Sequence, residues 1–231
     1  ALGLWRSPSK LAQAVALRRK LVGVPYLTDS WIKSANGSDR LESVSITRKG
    51  KSRMIECDML ACGFHLVGNT ELAALLACRI ENGFVVVDEF QKTTSENIFC
   101  AGDPTGIGGV ESSLVEGRIA GFAAVGETKL ARQLFGIRSK ARKFGDSLNR
   151  TFALRDELRS LPEPDTIVCR CEDVVFGQLI NFESWRSSKL QTRCGMGSCQ
   201  GRICGAAIEY LFGWKTGDVR PPIFPVKLEN L

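Results

Sequence analysis

Eleven residues near the C-terminus constrain this chain more than any others: Cys194-Gly195-Met196-Gly197-Ser198-Cys199-Gln200-Gly201-Arg202-Ile203-Cys204. A shorter pair stands upstream, Cys169-Arg170-Cys171, so five of the nine cysteines fall in two tight groups. Thiolates packed this closely repel one another unless a metal neutralises them. Soft sulfur donors select iron–sulfur clusters, zinc or Cu(I). The glycines at 195, 197 and 201 let the backbone wrap tightly, so that its N–H groups can point at sulfur. Arg170, Arg193 and Arg202 flank the thiols and can offset their charge. Zinc sites usually show C-x2-C knuckles, which are absent here. An odd cysteine count argues against a disulfide scaffold, and thiols without a secretory signal suit a reducing compartment such as the cytoplasm.

Composition narrows the rest. The chain has 231 residues, 44% hydrophobic and 24% charged, enough for a real core and more than one domain. No apolar run is long enough to span a membrane. The formal charge of +6 is modest, and its one concentration, between Arg132 and Arg150, lacks interleaved aromatics. It reads as a solvated helix face rather than a nucleic-acid platform. There is one histidine, His65, too few for a Rieske centre, and nothing poises it as a base. No residue stands out as catalytic. The chain opens on Ala1 and reads as part of a longer protein.

Taken in order, Ser7-Pro8 predicts a helix start, with Ser7 as N-cap and a helix to Val22. Three strands follow at 31–33, 41–47 and 53–57, separated by Asn36-Gly37 and Lys49-Gly50, which predicts an antiparallel meander. Thr70 to Cys78 predicts a helix. Phe84 to Val87 and Ile98 to Ala101 predict strands, the second buried on both faces. That strand runs into Gly102-Asp103, a glycine-rich loop through Gly109, and a helix from Val110 to Val125. Strand, glycine loop and helix form an α/β signature whose helix N-terminus favours anionic groups. Residues 127–161 read as helical, Leu161 to Pro164 as a linker, and Val174 to Phe182 as a helix between the cysteine groups.

Three stretches resemble known families. C-x-C-E followed by T-R-C-G-M-G-x-C-Q-G-R-x-C resembles the domain typified by bacterioferritin-associated ferredoxin, in the variant fused to flavoprotein subunits. The resemblance implies an all-helical [2Fe–2S] fold with Cys169, Cys171, Cys199 and Cys204 as ligands and Cys194 as a spare, beside the cluster or a fallback ligand. Residues Thr93 to Asp103 resemble the second flavin motif of the two-dinucleotide flavoproteins related to glutathione and thioredoxin reductases. That implies FAD contacts at Gly102, Asp103, Gly109 and Val110. Cys62 to Leu72 resembles the crossover from the nicotinamide-type domain back to the flavin domain, with Gly68 where Pro is usual. The N-terminal G-x-G-x-x-G for the flavin pyrophosphate is absent, so FAD binding within these residues is incomplete. Cys57 and Cys62 share the C-x4-C spacing of a redox disulfide, but they fall in the wrong part of such a fold, at opposite ends of one extended run. Cys78 and Cys100 read as core cysteines.

The expected architecture is α/β, a partial two-dinucleotide-binding flavoprotein with an antiparallel meander, followed by a small all-α [2Fe–2S] domain. The boundaries are residues 1–57 for the end of the middle domain and 58–135 for the returning half of the FAD-type domain. A helical linker spans 136–164, the ferredoxin-like domain 165–214 and a proline-rich tail 215–231. The combination resembles the large subunit of heteromeric opine oxidases, hydroxyproline and proline dehydrogenases, and hydrogen cyanide synthase. It implies an oxidoreductase subunit that relays electrons between flavin and cluster. Substrate C–N oxidation would fall to an FAD-dependent, amino-acid-oxidase-like β subunit, with an optional small third member in the complex. Peripheral membrane association through an electron acceptor is the alternative placement. A non-catalytic [2Fe–2S] carrier is the competing reading, and a stand-alone carrier has no use for Gly102-Asp103. A nicotinamide-dependent reductase would need a motif these residues lack.

Overall fold

The computed structural model describes residues 8–215, 219–223, 226–227 and 229. The N-cap expected at Ser7 and parts of the proline-rich tail lie outside them. Helix α1 spans Pro8–Lys20. The meander follows as β1 (Ser30–Asn36), β2 (Ser43–Arg48) and β3 (Lys51–Glu56), antiparallel throughout. Central β2 contributes the buried Ser43, Val44 and Thr47. Lys49 and Gly50 both take positive φ, which matches the twist of a two-residue hairpin between Arg48 and Lys51. The segment from Cys57 to Thr70 forms neither helix nor strand, with Met59 and Phe64 exposed.

Helix α2 (Glu71–Leu75) and a short hairpin of β4 (Ile80–Glu81) and β5 (Phe84–Val85) come next. Asn82 and Gly83 turn that hairpin, both at positive φ. The buried strand expected at 98–101 is not formed. Its backbone bonds only to the preceding segment, Thr93 N–H to the Ile98 carbonyl at 2.9 Å and Cys100 N–H to the Gln91 carbonyl at 3.0 Å. Phe99 makes only an isolated antiparallel bridge with Lys92, and all four residues of the segment are half-buried.

Three helices then pack together: α3 (Val110–Ala124), α4 (Thr128–Gln133) and α5 (Phe135–Thr151). Ile119, Ala131 and Leu134 form their core, with Phe90 and Phe135 against it. The basic stretch on α4 and α5 is not merely solvated. The Arg132 guanidinium lies over the Phe90 ring and Arg138 over Phe135, at 5.1 and 4.5 Å. Arg142 reaches inward to the buried Glu116.

A second core begins after a 3-10 turn at Asp156–Ser160. It contains β6 (Ile167–Cys169), β7 (Val174–Val175), α6 (Phe176–Leu179), α7 (Trp185–Thr192) and α8 (Cys204–Phe212). Cys169, Val174, Leu179, Trp185, Cys194, Cys204 and Ile208 are buried together there. This region is therefore not all-helical. Two adjacent β-branched residues, Val174 and Val175, extend and pair with β6, so the expected 174–182 helix starts only at Phe176. The Arg155 guanidinium bonds Asp29 at 2.8 Å and lies 4.6 Å over the Trp31 ring, while the Tyr210 hydroxyl donates to the Arg155 carbonyl. Residue 155 thus joins the meander to α8.

Candidate metal centre and flavin-type loop

Three local events bring the thiols together. Strand β6 ends at Cys169. Helix α7, N-capped by the Ser184 hydroxyl accepting from Ser187 N–H, stops at Arg193, whose φ of 63° turns the chain at Cys194. Helix α8 starts at Cys204. As a result the Sγ atoms of Cys169, Cys194 and Cys204 all lie within 4.8 Å of one another, and each residue is at most 2% exposed. Cys171 is exposed and Cys199 half-buried, and the Cys171 thiol lies 3.9 Å from the Ser198 hydroxyl.

Glycine makes this approach possible at two points. A Cβ on Gly195 would fall 2.6 Å from the Trp185 ring, at a φ of +76°. One on Gly197 would fall 2.3 Å from the Cys171 Cβ. With side chains excluded, backbone N–H groups reach sulfur. Gly195 N–H donates to Cys169 Sγ at 3.4 Å. The Cys199 thiol is held below its ordinary range, first by the Ile203 N–H and also by the Cys171 thiol and the Gly201 N–H. Cys204 is pushed down to about 6, chiefly by a hydrogen bond from the Cys194 thiol, with Cys169 assisting. Cys194 is pushed up in turn, first by that same bond and then by burial.

Of the four expected ligands, Cys169 and Cys204 meet in the interior and Cys171 and Cys199 at its rim. Cys194, expected as the spare, lies with the inner two. The flanking arginines do not sit free over sulfur. Arg193 pairs with Glu172 at 2.8 Å, and Arg202 pairs with Glu71 of α2 at 2.9 Å. Arg170 is exposed.

The glycine loop is organised by a residue that sequence reading missed. Glu116 on α3 is 2% exposed. Its carboxylate accepts from Gly102 N–H (2.9 Å), the Thr105 hydroxyl (3.2 Å), the Ser112 hydroxyl (3.1 Å) and Arg142 Nε (2.7 Å). From below, the Asn149 amide donates to the Ile107 carbonyl at 2.8 Å, and Gly145 of α5 passes so close that a Cβ would meet Gly108 Cα at 2.8 Å. The crossover segment touches the same loop, since a Cβ on Gly68 would meet the Asp103 carbonyl at 3.0 Å. Asp103, Gly109 and Val110 are exposed; Asp103 opens a 3-10 turn over Asp103–Thr105, and Gly109 and Val110 lie at the start of α3, whose first turn carries Glu111. The Asp103 carboxylate has no hydrogen bond or ion pair among the described residues, so it is free to meet a hydroxyl. His65 is exposed, its ring nitrogen 2.8 Å from the Leu66 carbonyl. Cys57 and Cys62 are free thiols. Cys78 is buried, and its thiol donates to the Thr93 hydroxyl at 3.5 Å.

Residues 4–120 match the family of pyridine nucleotide-disulphide oxidoreductases. The chain belongs to that family. Among curated relatives, it is 30% identical over 224 residues to an opine oxidase subunit of Rhizobium meliloti, covering 84% of this chain and 43% of the relative. It is 27% identical over 214 residues to hydrogen cyanide synthase subunit HcnB of Pseudomonas aeruginosa, covering 80% and 46%. A third relative, rhodocoxin reductase of Rhodococcus erythropolis, is 36% identical over 81 residues, or 35% of this chain and 18% of that one. The chain spans about half the length of the opine oxidase and HcnB relatives it matches. The family match ends at residue 120, before the second core begins, so the cysteine-rich region lies beyond it. Among the described residues, no helix of this oxidoreductase is long and apolar enough to cross a membrane.

Proposed function

We propose that this oxidoreductase chain is the electron-relay part of a heteromeric flavin and iron–sulfur dehydrogenase acting on amino or imino acids of the opine, proline or hydroxyproline type. The observation that carries the proposal is the gathering of three buried thiols, Cys169, Cys194 and Cys204, with Cys171 exposed and Cys199 half-buried in the same region. They belong to a chain whose glycine loop carries the exposed Asp103 ahead of α3. Two separate hydrophobic cores support a division into a flavin-type half at 58–135 and a ferredoxin-like unit at 165–214.

The donor set fits a [2Fe–2S] centre. Each iron of such a centre takes two thiolates, and the sulfurs offer an inner pair, Cys169 and Cys204, and an outer pair, Cys171 and Cys199. The cluster would supply one-electron chemistry there. The chain's own contribution is placement and tuning. Gly195, Gly201 and Ile203 direct N–H groups at sulfur, which lowers the cost of added negative charge. Val174, Leu179, Trp185 and Ile208 keep water off the inner side.

An FAD would supply hydride-level chemistry. Gly102, Asp103, Gly109 and Val110 are the residues that would face it, with Asp103 accepting from a ribityl hydroxyl and α3 presenting its N-terminus. Glu116 holds that loop in position. None of these residues is an acid or base for substrate oxidation, so that step falls to a partner, an FAD-dependent β subunit of amino-acid-oxidase type. The relatives are themselves named as subunits, which supports this reading.

Iron and acid-labile sulfide analysis, with EPR of the reduced protein, tests the proposal. Two irons and two sulfides per chain with a rhombic signal below free-electron g are expected. One zinc per chain and no sulfide would overturn it.

A further inference from the structure

A [2Fe–2S] centre uses four thiolates, and this site holds five sulfurs. The three that lie closest together are not a subset of the four expected ligands. Cys169, Cys194 and Cys204 have Sγ atoms mutually within 4.8 Å, on residues 1%, 0% and 2% exposed. A cluster distributes its thiolates two to each iron, so three sulfurs gathered around one point suit a single ion better. We propose that Cys169, Cys194 and Cys204 form a second, alternative metal site, a buried three-thiolate pocket for one soft monovalent ion of the Cu(I) type.

The surroundings choose the ion. Among the described residues no His, Asp or Glu joins the three thiols as a donor. The apolar side chains of Val174, Leu179, Trp185 and Ile208 are buried with the three thiols. Zinc takes four ligands in structural sites and would lack the fourth here. Cu(I) is soft, favours sulfur and accepts three donors. The excess negative charge meets the Gly195 N–H at Cys169 and the start of α8 at Cys204. Because Cys169 and Cys204 belong to both donor sets, the two occupancies exclude one another, and a Cu(I)-loaded chain cannot take up iron.

Cu(I) competition against a chromophoric chelator, on the full metal-free chain under anaerobic conditions, tests this. One equivalent should bind, and iron–sulfur reconstitution of the loaded protein should fail. Cys194→Ser should weaken Cu(I) by about a hundredfold, the upper end of what even outer partners of a metal cost, while still accepting two irons. Cys171→Ser should do the reverse, losing the cluster and keeping Cu(I). Wild-type Cu(I) affinity in Cys194→Ser, or equal loss in both variants, would overturn the proposal. Should Cys194→Ser fail to fold, X-ray absorption of the Cu(I)-loaded wild type decides. Three sulfur neighbours support the site, and a fourth donor overturns it. Failure of the electron-relay reading is distinguishable: the wild type would then take no iron while every Cu(I) result stood.

Discussion

Replacing Glu116 by Ala probes the loop that carries Asp103. The carboxylate accepts four hydrogen bonds while 2% exposed. Truncation removes the acceptor of two buried donors, the Gly102 N–H and the Ser112 hydroxyl. Each such orphan costs about 1–3 kcal/mol. The Thr105 hydroxyl keeps its bond to the Gly102 carbonyl at 2.9 Å and adds little. Arg142 is 41% exposed, so it rehydrates, and its ion pair adds under about 1 kcal/mol. The sum is about 2–7 kcal/mol, a range that brackets the roughly 3–5 kcal/mol typical when one member of a buried pair is removed. With a urea m-value of about 2 kcal/mol/M, the midpoint for the α3–α5 core should fall by about 1–3.5 M. Glu116→Gln should not rescue it, because its NH2 group would face donors. Hydrogen exchange on the peptide containing Gly102 gives the local readout, with protection of that amide lost in both variants. A cost below about 1 kcal/mol with the Gly102 amide still protected would refute the assignment of Glu116 as the loop's anchor.

Three further outcomes follow from the same geometry. Gly197→Ala drives a methyl against Cys171 and should cost about 1–3 kcal/mol by overpacking, with iron loading reduced; normal loading and an unchanged melt would contradict the tight wrap. A double-mutant cycle on Arg202→Ala and Glu71→Ala should return a coupling of about 0.5–1.5 kcal/mol, the range for contacting pairs whose charges are only partly buried, since this ion pair ties the cysteine core to α2. The Cys100 thiol is pushed up, first by burial and then by its neighbour Cys78. It ionises later in the folded than in the unfolded chain, so this group penalises the folded state as pH climbs above 9. Iodoacetamide should accordingly label Cys100 more slowly than exposed Cys62 between about pH 7 and 9, as read by peptide mass mapping.

Much of the local structure is written in short sequence signals. Lys49-Gly50 fixes a hairpin because two successive left-handed residues close a two-residue turn. Asn82-Gly83 carries the same signal for β4–β5. The helix from Val110 is legible from the glycine loop before it. The 98–101 strand is not, because an apolar run becomes a strand only beside neighbours to pair with. Val174 to Phe182 misleads for the opposite reason. Its apolar spacing fits a helix, yet pairing with β6 captures the two valines first.

The sequence alone marked Cys169, Cys171, Cys194, Cys199 and Cys204 as candidates for one centre, because thiols at those spacings, with glycines between them, repel one another unless a metal neutralises them. It also determined that the 93–110 segment has a flavin-type order of apolar run, loop and helix. Only the tertiary structure decided which sulfurs lie together, placing Cys194 inside and Cys171 and Cys199 at the rim. It alone revealed that Glu116, an unremarkable helix residue in the sequence, gathers four donors under the loop. Both follow from the same physics: burial and hydrogen-bond partners are supplied by segments distant along the chain, and no local pattern records who those neighbours are.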